Sequence, residues 1–222
     1  MMHQLNRLLC FIYSIYFNFK YLLLKDAIYL PIKINYKTKV YIDNSSRIIV
    51  SSTTKKMFMV EIGFKGTKFI SKNSEQSLTL INNSKLILNA NCVIGEGHNI
   101  YCNNGILTIN NDVYINRNVL IQCENKIELG KDTLLGWNVS LRDTDGHSLN
   151  SSGQTRSENA PILIGKKVWL AANVVILKGS IITNGSIVAT GSIVPGVIVK
   201  RENCLVAGIP AKVKKENITL EK

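Results

Sequence analysis

Acidic residues are scarce in this chain. Only 15 Asp and Glu stand against 27 Lys and Arg, a formal net charge of +12 over 222 residues. Such an excess fits a basic soluble surface, an anionic ligand, an anionic membrane face or nucleic acid. Nucleic acid is the weakest of these, because no Arg/aromatic interleaving and no helix-turn-helix, finger or single-strand-binding signature is present. The five cysteines (Cys10, Cys92, Cys102, Cys123, Cys204) are odd in number and scattered, and no CxxC occurs. That excludes a zinc-ribbon pattern and a disulfide framework, and a reducing, cytoplasmic setting is the simplest fit. No apolar run is long enough to cross a bilayer. The longest near the N-terminus, Leu8 to Phe17, has ten residues before Asn18, Lys20, Lys25 and Asp26 interrupt it. No small-residue cleavage site follows it, as a signal peptide would need. Proline numbers only four.

What is abundant is Asn, Ile, Ser and Lys. Ile and Val favour strands, and Asn tolerates the left-handed backbone of tight corners. The aliphatic residues are periodic. Ile164, Leu170, Ile176, Ile182, Val188 and Val194 are six apart, and Val168, Val174, Ser180, Ser186, Ser192 and Ile198 follow each by four. A six-residue period matches neither a helix nor simple strand alternation. It marks a parallel β-helix in which each flat face of a triangular coil takes one hexapeptide. Earlier triplets keep the spacing: Leu88, Ile94, Ile100; Ile109, Ile115, Ile121; Leu129, Leu135, Leu141. Three hexapeptides give an expected coil of 18 residues, with Cys92 and His98 at inward positions.

Four regions are expected. Residues 1–30 form amphipathic helix with basic flanks (His3, Arg7, Lys20, Lys25), which either caps the solenoid end or contacts an anionic membrane surface. Residues 31–87 are irregular early coils, and 88–199 are about five regular coils. Residues 200–222 are a basic tail that leaves the period. One polar excursion, 142–161, interrupts the regular part. Loops on a rigid scaffold are where chemistry concentrates, and this loop holds Asp143, Asp145 and His147. Imidazole is the side chain best suited to accept a proton near neutral pH, and an adjacent carboxylate can fix its tautomer. Two Asp and one His without further ligands make a weak metal pattern, so no metal is expected.

The hexapeptide period, the loop histidine in DTDGHS, the restart PILIGKKVWLAANVVILKGSIITNGSIVATGSIVPG and the ending VAGIPAKVKK resemble the hexapeptide-repeat acyltransferases over Leu88 to Lys215. Within these the chain looks like the O-acetyltransferases of surface-polysaccharide biosynthesis and, more distantly, the maltose and galactoside acetyltransferases. The resemblance implies an all-β, left-handed parallel β-helix. It implies a homotrimer with acetyl-CoA in clefts between subunits, and a sugar, nucleotide-sugar or lipid-linked glycan acceptor. It implies His147 as the base that takes the proton of the attacking hydroxyl. Ala172, three after Trp169, and Thr190, one coil on, would line the CoA arm. Pro195-Gly196 stands where the family often has Thr-Lys, which removes one positive charge near the cofactor. Lys212 and Lys215 would meet the CoA phosphates as point charges. Asn118 aligns with an Asn that contacts the acceptor. Asp143 and Asp145 either orient His147 or contact the acceptor, and Trp169 either walls the active site or marks a subunit contact.

The implied activity is acetyl transfer to a hydroxyl, with the protein cytoplasmic or peripheral at the inner face of the membrane through residues 1–30. Transfer to an amino-sugar and a non-catalytic β-helix module are the alternatives. The carbonic anhydrases of this fold need three histidines for zinc. This chain has only His3, His98 and His147, and His3 lies outside the repeat.

Overall fold

The computed structural model describes residues 2–52, 55–67, 75–151, 154–196 and 198–219. After two helices, α1 (Met2–Tyr21) and α2 (Leu24–Ala27), the chain winds through successive coils, each placing one strand on each of three faces. Coil 1 has β1 (Ile32–Ile34), β2 (Lys39–Ile42) and β3 (Arg47–Val50), and coil 2 has β4 (Val60–Ile62), β5 (Ser77–Ile81) and β6 (Lys85–Leu88). Coil 3 has β7 (Cys92–Ile94), β8 (Asn99–Asn103) and β9 (Ile106–Ile109), and coil 4 has β10 (Tyr114–Ile115), β11 (Leu120–Cys123) and β12 (Lys126–Leu129). Coil 5 begins with β13 (Leu134–Leu135) and β14 (Ser140–Arg142), throws out a hairpin, β15 (Leu149–Ser151) and β16 (Gln154–Arg156), and closes with β17 (Ile162–Ile164). Coil 6 has β18 (Trp169–Leu170), β19 (Val175–Leu177) and β20 (Ile181–Ile182), and coil 7 has β21 (Ile187–Val188) and β22 (Ile193–Val194). Coil 8 is partial: β23 (Leu205–Gly208) and an antiparallel return, β24 (Ala211–Lys215).

Face A is β1-β4-β7-β10-β13-β18-β21-β23, face B is β2-β5-β8-β11-β14-β19-β22, and face C is β3-β6-β9-β12-β17-β20. Within each face neighbouring coils pair in parallel, as in Ile121 beside Leu141 and Leu141 beside Ile176. This is the parallel β-helix that the period implies, in the left-handed form that the resemblance implies. The interior is the expected aliphatic ladder: Ile94, Ile115, Leu135, Leu170, Val188 and Val206 are all essentially inaccessible.

The coil length departs from the expected 18. Trp169 pairs with Ile187 and Ile187 with Leu205, each 18 residues on. Val93, however, pairs with Tyr114, 21 residues on, and Tyr114 with Leu134, 20 on. The surplus sits at the edge between faces B and C, where strands such as β8 and β11 run on and put a second residue inward (Cys102, Cys123). The same edge carries the hairpin of coil 5. Beyond β23 the chain reverses, and β24 folds back on it as an antiparallel strand.

Tight corners need a left-handed residue, and asparagine or glycine supplies it at the edge between faces A and B. Gly97, Asn118, Asn138, Asn173 and Gly191 all have φ between 56° and 74°. The N–H groups of Asn118, Asn138, Asn173 and Gly191 donate to Glu96, Arg117, Trp137 and Ala172 one coil below, each at 3.0 Å. The buried serines of the last coils serve the same geometry. Ser180, Ser186 and Ser192 accept hydrogen bonds from the N–H groups of Gly196, Cys204 and Gly208, each at 3.2 Å.

The first coil leaves β1 with an open edge, and α1 closes it. Cys10, Ser14, Phe17 and Asn18 form the buried stripe of the helix. Asn18 Nδ2 donates to Ile32 O at 2.6 Å and Asn18 Oδ1 accepts from Ile32 N at 3.1 Å. Ser14 Oγ accepts from Ile34 N at 3.0 Å and donates to Cys10 O at 2.6 Å. Two side chains one helical turn apart thus replace a neighbouring strand, which is how an exposed sheet edge is kept from pairing with other chains.

Candidate active site

The loop of coil 5 leaves the edge between faces B and C and is built rather than loose. Its stem is an antiparallel bridge between Thr144 and Asn159, reinforced by Asp145 N to Glu158 O at 3.1 Å and Ala160 N to Asp143 O at 2.9 Å. Beyond it lies the hairpin pairing Leu149 with Arg156. His147 stands between stem and hairpin, just after Gly146, whose φ is 76°. It is exposed, and among the described residues it has no hydrogen-bond partner.

Both aspartates of the loop are engaged elsewhere in the single chain. Asp143 is fully buried and accepts from the N–H groups of Glu124 at 2.7 Å and Asn125 at 2.9 Å, pinning the loop to the turn of coil 4. Burial pushes its carboxyl above the usual carboxylate range, and those N–H groups oppose the shift. Asp145 pairs with Lys178 at 2.6 Å. Lys178, its side chain only 8% exposed, also donates to Ser157 O at 2.5 Å and Glu158 O at 3.0 Å. One ammonium from coil 6 therefore holds both limbs of the loop. Sequence reasoning passed over Lys178, since an outward lysine in a repeat carries no signal of its own. Pro195 and Gly196 lie on this same edge, one coil above Gly179. Among the described residues no cluster of His, Cys, Asp and Glu could hold a metal ion.

Asn118, Ala172 and Thr190 lie on a different edge, between faces A and B. Asn118 is one rung of the corner ladder, and its Oδ1 is buried without a hydrogen-bond partner. In the adjacent column, one residue earlier in each coil, Arg117, Trp137, Ala172 and Thr190 stack coil on coil. The edge is lined by small residues. A Cβ on Gly136 would lie 2.7 Å from Ala172 N, and Ala171 and Ala172 are buried while Thr190 is exposed. A slender chain can approach the backbone closely along such a track. Trp169 points outward from face A, 37% exposed, between Leu134 and Ile187. Lys212 and Lys215 are exposed on β24, beside Ala207 and Leu205 of β23. The loop residues and the Asn118–Ala172–Thr190 group therefore sit on two edges of one prism, while Trp169 lies on face A and Lys212 and Lys215 on β24. Trp137, in the column of Ala172 and Thr190, is an addition that only the stacking reveals.

No protein-family model matches the sequence. Among curated proteins, WbbJ of Escherichia coli (strain K12), provisionally described as a lipopolysaccharide biosynthesis O-acetyl transferase, is 32% identical over 122 residues, covering 50% of this chain and 61% of that protein. A 24.8 kDa uncharacterized protein of the cps region of Klebsiella pneumoniae is 30% identical over 159 residues, covering 71% and 69%. The polysialic acid O-acetyltransferase of Neisseria meningitidis matches at 38% over 66 residues, 31% of its length. The chain thus spans less than two thirds of two of these relatives. Among solved structures, the polysialic acid O-acetyltransferase OatWY superposes with a TM-score of 0.52 at 25% identity, covering 86% of this chain and 90% of that one. The fold is a left-handed β-helix, and two of these relatives are described as O-acetyltransferases. The chain belongs to the hexapeptide-repeat acyltransferase family, alongside O-acetyltransferases of polysaccharide biosynthesis.

Proposed function

We propose that the chain is an acetyl-CoA-dependent O-acetyltransferase that modifies a sugar or glycan hydroxyl in surface-polysaccharide biosynthesis, as a homotrimer with each active site shared by two protomers. The observation that carries this reading is the split of the site. His147 stands exposed on a braced loop at one edge, while the small-residue track of Ala172 and Thr190 runs along another. A second copy that lays its A–B edge against the loop unites the two. The residues fit the co-substrate. The track accepts a slender pantetheine arm, and the lysines of β24 offer positive charge to its phosphates. Bound acetyl-CoA supplies an activated thioester carbonyl and a thiolate leaving group.

His147 removes the proton from the acceptor hydroxyl as its oxygen attacks that carbonyl. The imidazolium then returns the proton to the departing sulfur, so the base is regenerated with each turnover. The unpartnered Oδ1 of Asn118 supports its role as a contact to the acceptor. Asp145 and Lys178 act on His147 indirectly, by fixing the loop that presents it. That WbbJ is described by lipopolysaccharide and OatWY by polysialic acid supports a glycan acceptor. The test is free-thiol release from acetyl-CoA against a panel of sugars, nucleotide sugars and lipid-linked glycans. No acceptor-dependent release with any of them would sink the reading.

Among the described residues no helix is long and apolar enough to cross a membrane. The outer face of α1 nonetheless exposes Leu5, Leu8, Ile12, Tyr16 and Phe19, continued by Leu23, Leu24 and Ile28. Lys20 and Lys25 flank this stripe. We read it as a contact with an anionic membrane surface, so that α1 both caps the solenoid and docks it. Co-sedimentation with anionic vesicles should be lost in Leu8→Asp/Phe19→Asp. Equal partitioning of that variant and the wild type would refute the contact.

A further inference from the structure

A cavity of about 890 Å³ opens on the A–B edge of coils 1 to 3, under the N-terminal half of α1. Its charges do not cancel. Arg7, Lys33, Lys37 and Lys39 line it against Glu75 and Glu96. Glu75 is taken by Lys39 at 2.8 Å and Glu96 by Arg117 at 2.9 Å. Arg7, Lys33 and Lys37 are left without a carboxylate partner among the described residues.

The rest of the wall is aromatic and amide. Phe11 and Phe58 meet edge to face at 6.1 Å, and Lys33 Nζ lies 4.6 Å from the Phe64 ring centre. The cavity is held in shape. Tyr36 Oη donates to Asn6 Oδ1 at 3.1 Å, tying the coil to the helix. Behind, Gln76 Nε2 donates to Thr38 Oγ1 at 2.9 Å and Gln76 Oε1 accepts from Gly97 N at 3.2 Å. Aromatic faces suit the C–H faces of a sugar ring, amides suit its hydroxyls, and unpaired cations suit an anionic substituent.

We propose that this cavity is a distal subsite for the acceptor, binding a saccharide unit that bears a carboxylate or a phosphate. The cavity shares its edge with Asn118, Trp137 and Ala172. From coil 2 to coil 6 is four rungs, about 19 Å at ~4.8 Å per rung. A short stretch of glycan laid along the edge joins the anionic unit in the cavity to the reacting unit beside Ala172. The identity of the ligand as acceptor rests on the acetyltransferase reading; its binding does not.

The full-length protein is titrated calorimetrically with an oligogalacturonate (carboxylates), a phosphorylated maltooligosaccharide, the neutral maltooligosaccharide and inorganic phosphate. At least one anionic oligosaccharide should bind more tightly than the neutral one and than inorganic phosphate, and preference between the two anionic arms assigns the substituent. Lys33→Gln/Lys37→Gln should weaken that binding at least ten-fold, and the exposed change Arg7→Gln should weaken it several-fold without disturbing the fold. Neutral and anionic oligosaccharides binding alike, inorganic phosphate binding as tightly as the saccharide, or unaltered affinity in both variants would overturn the subsite. Tight binding sensitive to these variants but no acetyl transfer to any acceptor would leave the subsite standing and refute the acetyltransferase reading instead.

Discussion

Replacing Asn18 removes the closure of the solenoid's first edge, and the size of the loss follows from three hydrogen bonds. Asn18 Nδ2 donates to Ser14 O at 2.7 Å and Ile32 O at 2.6 Å, and Asn18 Oδ1 accepts from Ile32 N at 3.1 Å. Asn18 and Ile32 are both fully buried, so water does not replace what is lost. A buried backbone group left without a partner costs about 1–3 kcal/mol, and Asn18→Leu orphans both polar groups of Ile32, roughly 2–6 kcal/mol in all. At ~2–4 °C per kcal/mol for a chain of this size, the midpoint should fall by roughly 4–24 °C. In a solenoid the damage is local first, since each coil leans on its neighbours. Hydrogen exchange at residues 32–34 and 60–62 should therefore quicken before the later coils open. Asn18→Asp keeps the acceptor to Ile32 N, loses the donor, and should fall between. The assays are thermal melting and residue-resolved hydrogen exchange. Asn18→Leu as stable as the wild type, with β1 still protected, would show that apolar packing of α1 closes the edge and that the side-chain pairing contributes nothing.

Lys178→Met should raise hydrogen exchange across 143–160 and lower kcat for acetyl transfer, while the exchange of coils 1 to 4 stays unchanged. Unaltered loop protection would remove Lys178 as the brace. His98 is fully buried, with Nδ1 on Gly95 O at 2.8 Å, and burial lowers its pKa to about 4. The unfolded chain, with an ordinary histidine near 6.5, binds the proton first as pH falls. Relative to His98→Gln, the wild type should thus lose about 1.4 kcal/mol per pH unit between roughly pH 6.5 and 4, and no more below that. Parallel stability curves for the two proteins would contradict the neutral, buried state of His98. Lys212→Ala should raise KM for acetyl-CoA several-fold with kcat little changed, and an unchanged KM would detach β24 from the phosphates.

The inward ladder was legible from the sequence because burial repeats every six residues from Ile164 to Val194 and within each earlier triplet back to Leu88. So was the position of the coil 5 loop, because it interrupts that ladder. Coil length was less legible. The extra residues at the B–C edge still place Ile109 and Leu129 inward, so spacing within each triplet hides the surplus between triplets. Asn18 read as an interruption of an apolar run, yet it is the polar half of the buried stripe of α1. The partner it needs, Ile32, is 14 residues away and visible only in three dimensions. Lys178 and Trp137 were missed for the same reason, since contacts between coils leave no local pattern. Asn118 shows the converse. Its left-handed corner is shared with Asn138 and Asn173, so the ladder explains its backbone and only its unpartnered Oδ1 sets it apart.

The shared site is tested most directly by mixing two inactive proteins. His147→Ala removes the base, at a cost of ~10²–10⁴ in rate, and Ala172→Trp fills the track. Each should be trimeric and inactive alone. Denatured together in equal amounts and refolded, random trimers restore one intact site in every mixed assembly, about a quarter of the wild-type sites. Acetyl transfer at about a quarter of the wild-type rate is the expected result. If the mixture is as inactive as its components while mixed trimers are present, His147 and Ala172 serve the same protomer's site, and the division of the active site between two copies is wrong.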